Sequence, residues 1–204
     1  MRKWCLALAI LMTCVFTAGC SAKLSDLNED TVYIQKKGQI TGVIVEDFTK
    51  QYYDAEELQN MLNQEIIDYN TESGEECVTL QSYEVKDGIV RVLIDYADAD
   101  CYGKFNGVDF FAGLYPGIEE FELPDTMINV KDNSSVSMAE VQSEAEEKGY
   151  HAAVVSEKTD VKVTSRILYT SENMELIDKT TARVVVDGTD EDKDTKDLAF
   201  IIYK

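Results

Sequence analysis

The sequence predicts an α+β fold in which antiparallel β-hairpins build sheet and two main helices interrupt it, all behind an N-terminal signal peptide. Three observations carry that expectation. Alternating apolar segments are joined by tight turns, the strongest being Asp87-Gly88. Two other segments, Asp54 to Ser73 and Ser137 to Lys148, repeat their apolar residues at helical spacing behind a capping residue. Strand segments outnumber helical ones and follow one another directly, which favours antiparallel sheet over alternating βαβ units.

The N-terminus reads Met1-Arg2-Lys3, an apolar run from Trp4 to Phe16, then Thr17-Ala18-Gly19-Cys20. Two cations, an apolar stretch and small residues are the parts of a secretory signal. The apolar stretch falls short of the ~20 residues a membrane-spanning helix needs. Its ending resembles the lipobox of bacterial lipoproteins, in which the cysteine takes a diacylglycerol before cleavage; Thr17 departs from the leucine usual three residues ahead of it. Residues 1–19 are therefore expected to be the signal and Cys20 the lipidated residue. Two acyl chains anchor a protein firmly, at ~0.8 kcal/mol per buried methylene. Residues 20–31 then read as the lipidated cysteine and a polar tether of at most ~35 Å. Residues 32–204 read as an acidic α+β domain on the extracytoplasmic face of the membrane.

In that domain, Val32 to Lys37 and Ile40 to Phe48 are expected to pair around a two-residue Gly38-Gln39 turn, with Val32 opposite Val45 and Ile34 opposite Val43. Asp54 to Ser73 reads as a helix capped by Asp54, with Leu58, Met61, Leu62, Ile66 and Tyr69 on its core face and Gly74 as its stop. Val78 to Val85 and Ile89 to Tyr96 pair around Asp87-Gly88, with Val85 opposite Val90 and Tyr83 opposite Val92. That register brings Cys77 opposite Asp98. Cys101 lies three residues on, so a Cys77–Cys101 disulfide is geometrically open, with two free thiols as the alternative.

Tyr102 to Gly117 is rich in glycine and aromatics. Phe105, Phe110, Phe111 and Tyr115 either line a ligand pocket or fold into the core, the commoner outcome for such a segment. Ser137 to Lys148 reads as a helix with a Ser137–Glu140 capping box, a Val136–Val141 staple and a solvent-facing acidic side. The remaining expected strands are Ala152 to Val155, Val161 to Tyr169, Met174 to Ile177, Thr181 to Val186 and Leu198 to Tyr203.

Composition excludes more than it selects. The chain carries 39 acidic and 19 basic residues, a formal net charge of −20, and loss of the signal removes two of the cations. Such a surface repels nucleic-acid backbones and anionic lipid headgroups, so the lipid must do the anchoring. Basic partners, metal cations and neutral ligands stay open. Asp190, Asp192 and Asp194 alternate as in a calcium loop, which makes calcium the one cofactor to consider. An EF-hand starting at Asp190 would need glycine where Thr195 stands and glutamate where Ile201 stands; a solvated hairpin loop is the simpler reading. Zinc is not indicated, since no C-x-x-C exists and His151 is the only histidine. His151 begins a strand, and no serine or cysteine motif makes it a catalytic base.

Three segments together carry a resemblance: Thr31 to Gly38 (TVYIQKKG) followed by Val43 to Phe48 (VIVEDF), Phe105 to Gly113 (FNGVDFFAG), and Ala199 to Lys204 (AFIIYK). With them the chain resembles small lipoproteins of uncharacterised function from anaerobic Gram-positive, Clostridia-type gut bacteria. The resemblance implies a Gram-positive envelope, where disulfides are few, and it implies no activity. The functional expectation is a lipid-anchored envelope lipoprotein acting as a non-enzymatic binding or interaction module. Its partner would be an envelope protein, a glycan or a small ligand. The alternative is a hydrolase acting on cell-wall or glycan substrates through paired carboxylates.

Overall fold

The computed structural model describes residues 26–185 and 198–204. The signal segment with Cys20, and the acidic stretch holding Asp190, Asp192 and Asp194, lie outside the described residues.

The described residues form an α+β fold of two largely antiparallel sheets and three longer helices. In chain order the first elements are β1 (Thr31–Ile34), β2 (Ile40–Asp47), α1 (Ala55–Ser73), β3 (Val78–Lys86), β4 (Ile89–Tyr96), α2 (Ala99–Asn106) and β5 (Phe110–Leu114). A 3-10 helix (Tyr115–Glu120) leads to β6 (Thr126–Asn129), β7 (Ser134–Ser137), α3 (Met138–Lys148), β8 (His151–Val155), β9 (Asp160–Val163) and β10 (Ile167–Thr170). The chain closes with β11 (Met174–Asp178), β12 (Thr181–Val184) and β13 (Ala199–Tyr203).

One sheet has the order β11-β12-β9-β1-β2-β4-β3 and the other β5-β8-β13-β10-β6-β7. The β1–β9 pair is parallel; the other described pairs are antiparallel. The sheets share one core. Val32, Ile34, Ile40, Val161 and Val163 of the first meet Ala153, Val155, Ile167, Ile201 and Tyr203 of the second. Beside that contact, α1 and α2 cover the β3–β4 end of the same face, through Ile66, Cys101 and Tyr102. A second core on the far side of the six-stranded sheet joins Ala152, Val154, Phe200 and Ile202 to Val141 and Ala145 of α3 and Ile118 of the 3-10 helix. β13 is buried along its whole length because it serves both cores.

Several elements form for the reasons visible in the sequence. Asp54 caps α1 by accepting from the backbone N–H of Glu56 and Glu57, and Gly74 ends it in the left-handed region. Ser137 Oγ caps α3 by accepting from Glu140 N–H and donates to the Glu140 carboxylate, which thus meets the hydroxyl rather than the Ser137 N–H of the expected capping box, and Gly149 ends the helix. Asp87 and Gly88 both take positive φ, as a two-residue hairpin turn requires, and Val85 faces Val90 as expected.

Elsewhere the structure departs from the expectation. The β1–β2 connection is a three-residue loop, Lys36-Lys37-Gly38, with Gly38 N–H donating to Gln35 O and Gln35 N–H to Gln39 O. The register therefore shifts: Val32 faces Gly42 and Ile34 faces Ile40, while Val43 turns to the opposite face. The physical reason is the αL demand of a turn closed by a bulge, which glycine meets in last position. A bulge at Gln81 likewise moves Cys77 out of register with Asp98; its carbonyl accepts from Ala97 N–H instead. Asp98 is then free to cap α2, a third helix that the glycine-rich reading of Tyr102 to Gly117 missed.

The expected strand Val161 to Tyr169 is two strands in different sheets, since the chain crosses between sheets at Thr164-Ser165-Arg166. β5, β6 and β7 were not anticipated, and are short. On α1 only Ile66 is buried, and Met61 is 63% exposed, because the helix rests on β3 at the sheet margin and turns part of its apolar stripe outward. On α3, Glu144 turns inward to accept from Tyr150 Oη, Tyr169 Oη and Lys148 Nζ.

Candidate functional site

At one end of the molecule the two sheets part and leave an open cleft of about 520 Å³. That volume lies within the range of small-molecule sites. Each wall follows from a local feature of the chain. The β1–β2 loop supplies Gln35, Lys36, Lys37 and Gly38; the crossover between sheets supplies Thr164 and Ser165; the ends of β5, β8 and β13 supply Leu114, His151 and Tyr203. Lys204 completes the rim, and its main-chain oxygen accepts a hydrogen bond from Ser165 Oγ, which clips the end of β13 to the crossover.

The floor of the cleft is aromatic. The His151 and Tyr203 rings lie with centroids 5.5 Å apart at an interplanar angle of 30°. They are neighbours because β8 and β13 pair with His151 directly opposite Tyr203. His151 Nδ1 is buried and has no hydrogen-bond partner. A buried ring nitrogen without a partner costs free energy unless something outside the chain satisfies it. Burial pushes the Tyr203 phenol up to about 12, so it is a neutral hydroxyl at neutral pH.

The charge of the cleft opposes that of the chain. Lys36, Lys37 and Lys204 line it, and no aspartate or glutamate does. Among the described residues the ion pairs involve Lys104, Lys148 and Arg183 instead, so the three cleft lysines are free of carboxylate partners.

The other residues singled out from the sequence are dispersed. Cys77 and Cys101 form a disulfide with their Cα atoms 6.3 Å apart, tying the start of β3 to the first turn of α2. A groove beside it is lined by Glu72, Glu75, Asp98 and Asp100. Asp98 is already committed to capping α2 and Asp100 to a 2.6 Å ion pair with Lys104. Phe105 and Phe110 enter the shared core, Phe105 edge-on to Tyr69 and Phe110 against Tyr102. Phe111 and Tyr115 enter the second core. The four aromatics thus divide between the two cores rather than converging. No group of three or more histidine, cysteine, aspartate or glutamate side chains poised for a metal occurs among the described residues. No described helix is long and apolar enough to cross a membrane.

Sequence reasoning passed over His151 as an ordinary strand-end residue and placed Lys36 and Lys37 in a strand. The only signals for the cleft were a sole histidine and a lysine pair ahead of a turn glycine, neither of which says that they meet. Comparison of the chain with protein families, with characterised proteins and with solved structures finds no match.

Proposed function

We propose that the protein is a lipid-anchored lipoprotein of the cell envelope, held on the extracytoplasmic face of the membrane through Cys20, and that it works as a non-enzymatic binding module. The observation that carries the binding reading is the inter-sheet cleft, a concave site lined by three lysines that have no ion-pair partner among the described residues. The anchoring reading rests on the Ala18-Gly19-Cys20 ending and on the acidity of the rest of the chain, which leaves lipid as the attachment to a like-charged surface.

Two measurements test the two halves. The wild-type chain should partition into detergent on phase separation of cell extracts, and Cys20→Ala should stay in the aqueous phase; equal partitioning refutes the anchor. Soluble fragments of envelope glycans and small envelope metabolites, screened by thermal shift, should include a stabilising ligand. At 100-fold excess over Kd, binding contributes about 2.7 kcal/mol. That stabilisation should vanish in His151→Ala; a hit that His151→Ala retains places binding elsewhere.

A further inference from the structure

We infer that the inter-sheet cleft binds the oxyanion, phosphate or carboxylate, of a small hydroxylated ligand, with Lys36, Lys37 and Lys204 holding the charge and His151 and Tyr203 meeting the ligand's polar groups. The inference rests on the binding reading above and names the chemical class of what is bound.

Four observations point the same way. The lysines at the rim have no ion-pair partner among the described residues, in a chain with about two acids for every base. Three lysines that line one cleft with no aspartate or glutamate among its lining residues gather positive charge there. No aspartate or glutamate side chain is among the lining residues. The lining also includes Thr164, Ser165 and the His151 ring, residue types that hold hydroxyls and oxyanions, while the Gln35 amide donates to Thr41 Oγ1. Finally, neither His151 Nδ1, a buried atom, nor Tyr203 Oη makes a hydrogen bond among the described residues. Lysine supplies a compact charge that suits an oxyanion without fixing its geometry. The Lys36-Lys37 loop hangs from one hairpin and the Lys204 rim from the other sheet, so an anion between them would bridge the two sheets.

The sole histidine is a built-in reporter. The full chain, purified in detergent micelles without a histidine tag, shows one histidine ring in its proton NMR spectrum besides the exchangeable signals. Four probes separate the possibilities: glucose 1-phosphate, glucuronate, glucose and inorganic phosphate. The sugar phosphate or the sugar acid should shift the His151 signals saturably. Glucose at the same concentration should not. Which of the two sugar anions binds more tightly identifies phosphate or carboxylate, and inorganic phosphate shows how much the sugar adds. Raising the salt should weaken binding. The double variant Lys36→Glu/Lys37→Glu, on an exposed loop, should fold as wild type by circular dichroism and weaken binding at least tenfold.

If glucose shifts His151 as strongly as the charged sugars, the anion inference falls while the binding reading stands. If no probe shifts it, the anion inference falls, and the thermal-shift screen then decides the binding reading separately. Unchanged affinity in the double-glutamate variant overturns the role given to the lysines.

Discussion

Removing the disulfide offers the most direct test of how the fold is held at its helical end. The perturbation is Cys77→Ala with Cys101→Ala. The pair spans a sequence separation of 24 residues and joins the edge strand β3 to α2, which lies between α1 and β5. Closing a loop of that length removes entropy from the unfolded chain worth about 3.5 kcal/mol at 25 °C. For a domain of this size each kcal/mol moves Tm by about 2–4 °C, so the double variant should melt roughly 7–14 °C lower. Alanine keeps both sites apolar, and Asp98 still caps α2, so the helix itself should survive. The assay is thermal and urea unfolding followed by circular dichroism, for oxidised wild type, reduced wild type and the double variant. The last two should coincide, both below the first. Coincidence of all three would refute the reasoning, as would peptide mapping under non-reducing conditions that recovers Cys77 and Cys101 unlinked.

Two further outcomes follow from packing and burial. Glu157 accepts from the Tyr102 hydroxyl in a half-buried position, and burial raises its carboxyl above the ordinary value of 4.5, with Asp30 adding to the rise. A raised folded-state value means that the protonated form contributes stability at low pH. That contribution is lost as pH climbs from about 4.5 through the raised value. Glu157→Gln keeps an acceptor for Tyr102 and should match wild type at pH 4 but equal or exceed it at pH 7; a lower Tm at pH 7 would contradict the sign. In the second core, Gly117 and Gly113 leave room for the Phe111 ring: a Cβ on Gly117 would sit 2.2 Å from Phe111 Cζ. Gly117→Ala should therefore cost about 1–3 kcal/mol through overpacking. Adding Phe111→Ala should remove most of the penalty due to Gly117→Ala, a coupling that a double-mutant cycle in urea reads out; simple additivity would show that the ring is not the obstacle.

What the sequence alone determined is local chemistry. The Asp54 and Ser137 caps, the stops at Gly74 and Gly149, and the Asp87-Gly88 turn with its adjoining register were all legible, because each depends on residues within one or two turns of chain. The α+β class followed from the same periodicities. Tertiary structure decided what depends on distant partners. A bulge at Gln81 re-aimed Cys77, and the cap at Asp98 turned Cys101 toward it, so the bridge came from two corrections to the simple register. The single strand expected from Val161 to Tyr169 is divided between two sheets, at the polar Thr164-Ser165-Arg166, which strand periodicity alone does not record. That crossover, together with a loop three residues long rather than two, is what parts the sheets beside His151 and gathers three lysines in a chain of net charge −20. Total charge is a property of composition, but the sign of a site depends on which side chains the fold leaves unpaired, and that is settled only when the two sheets meet.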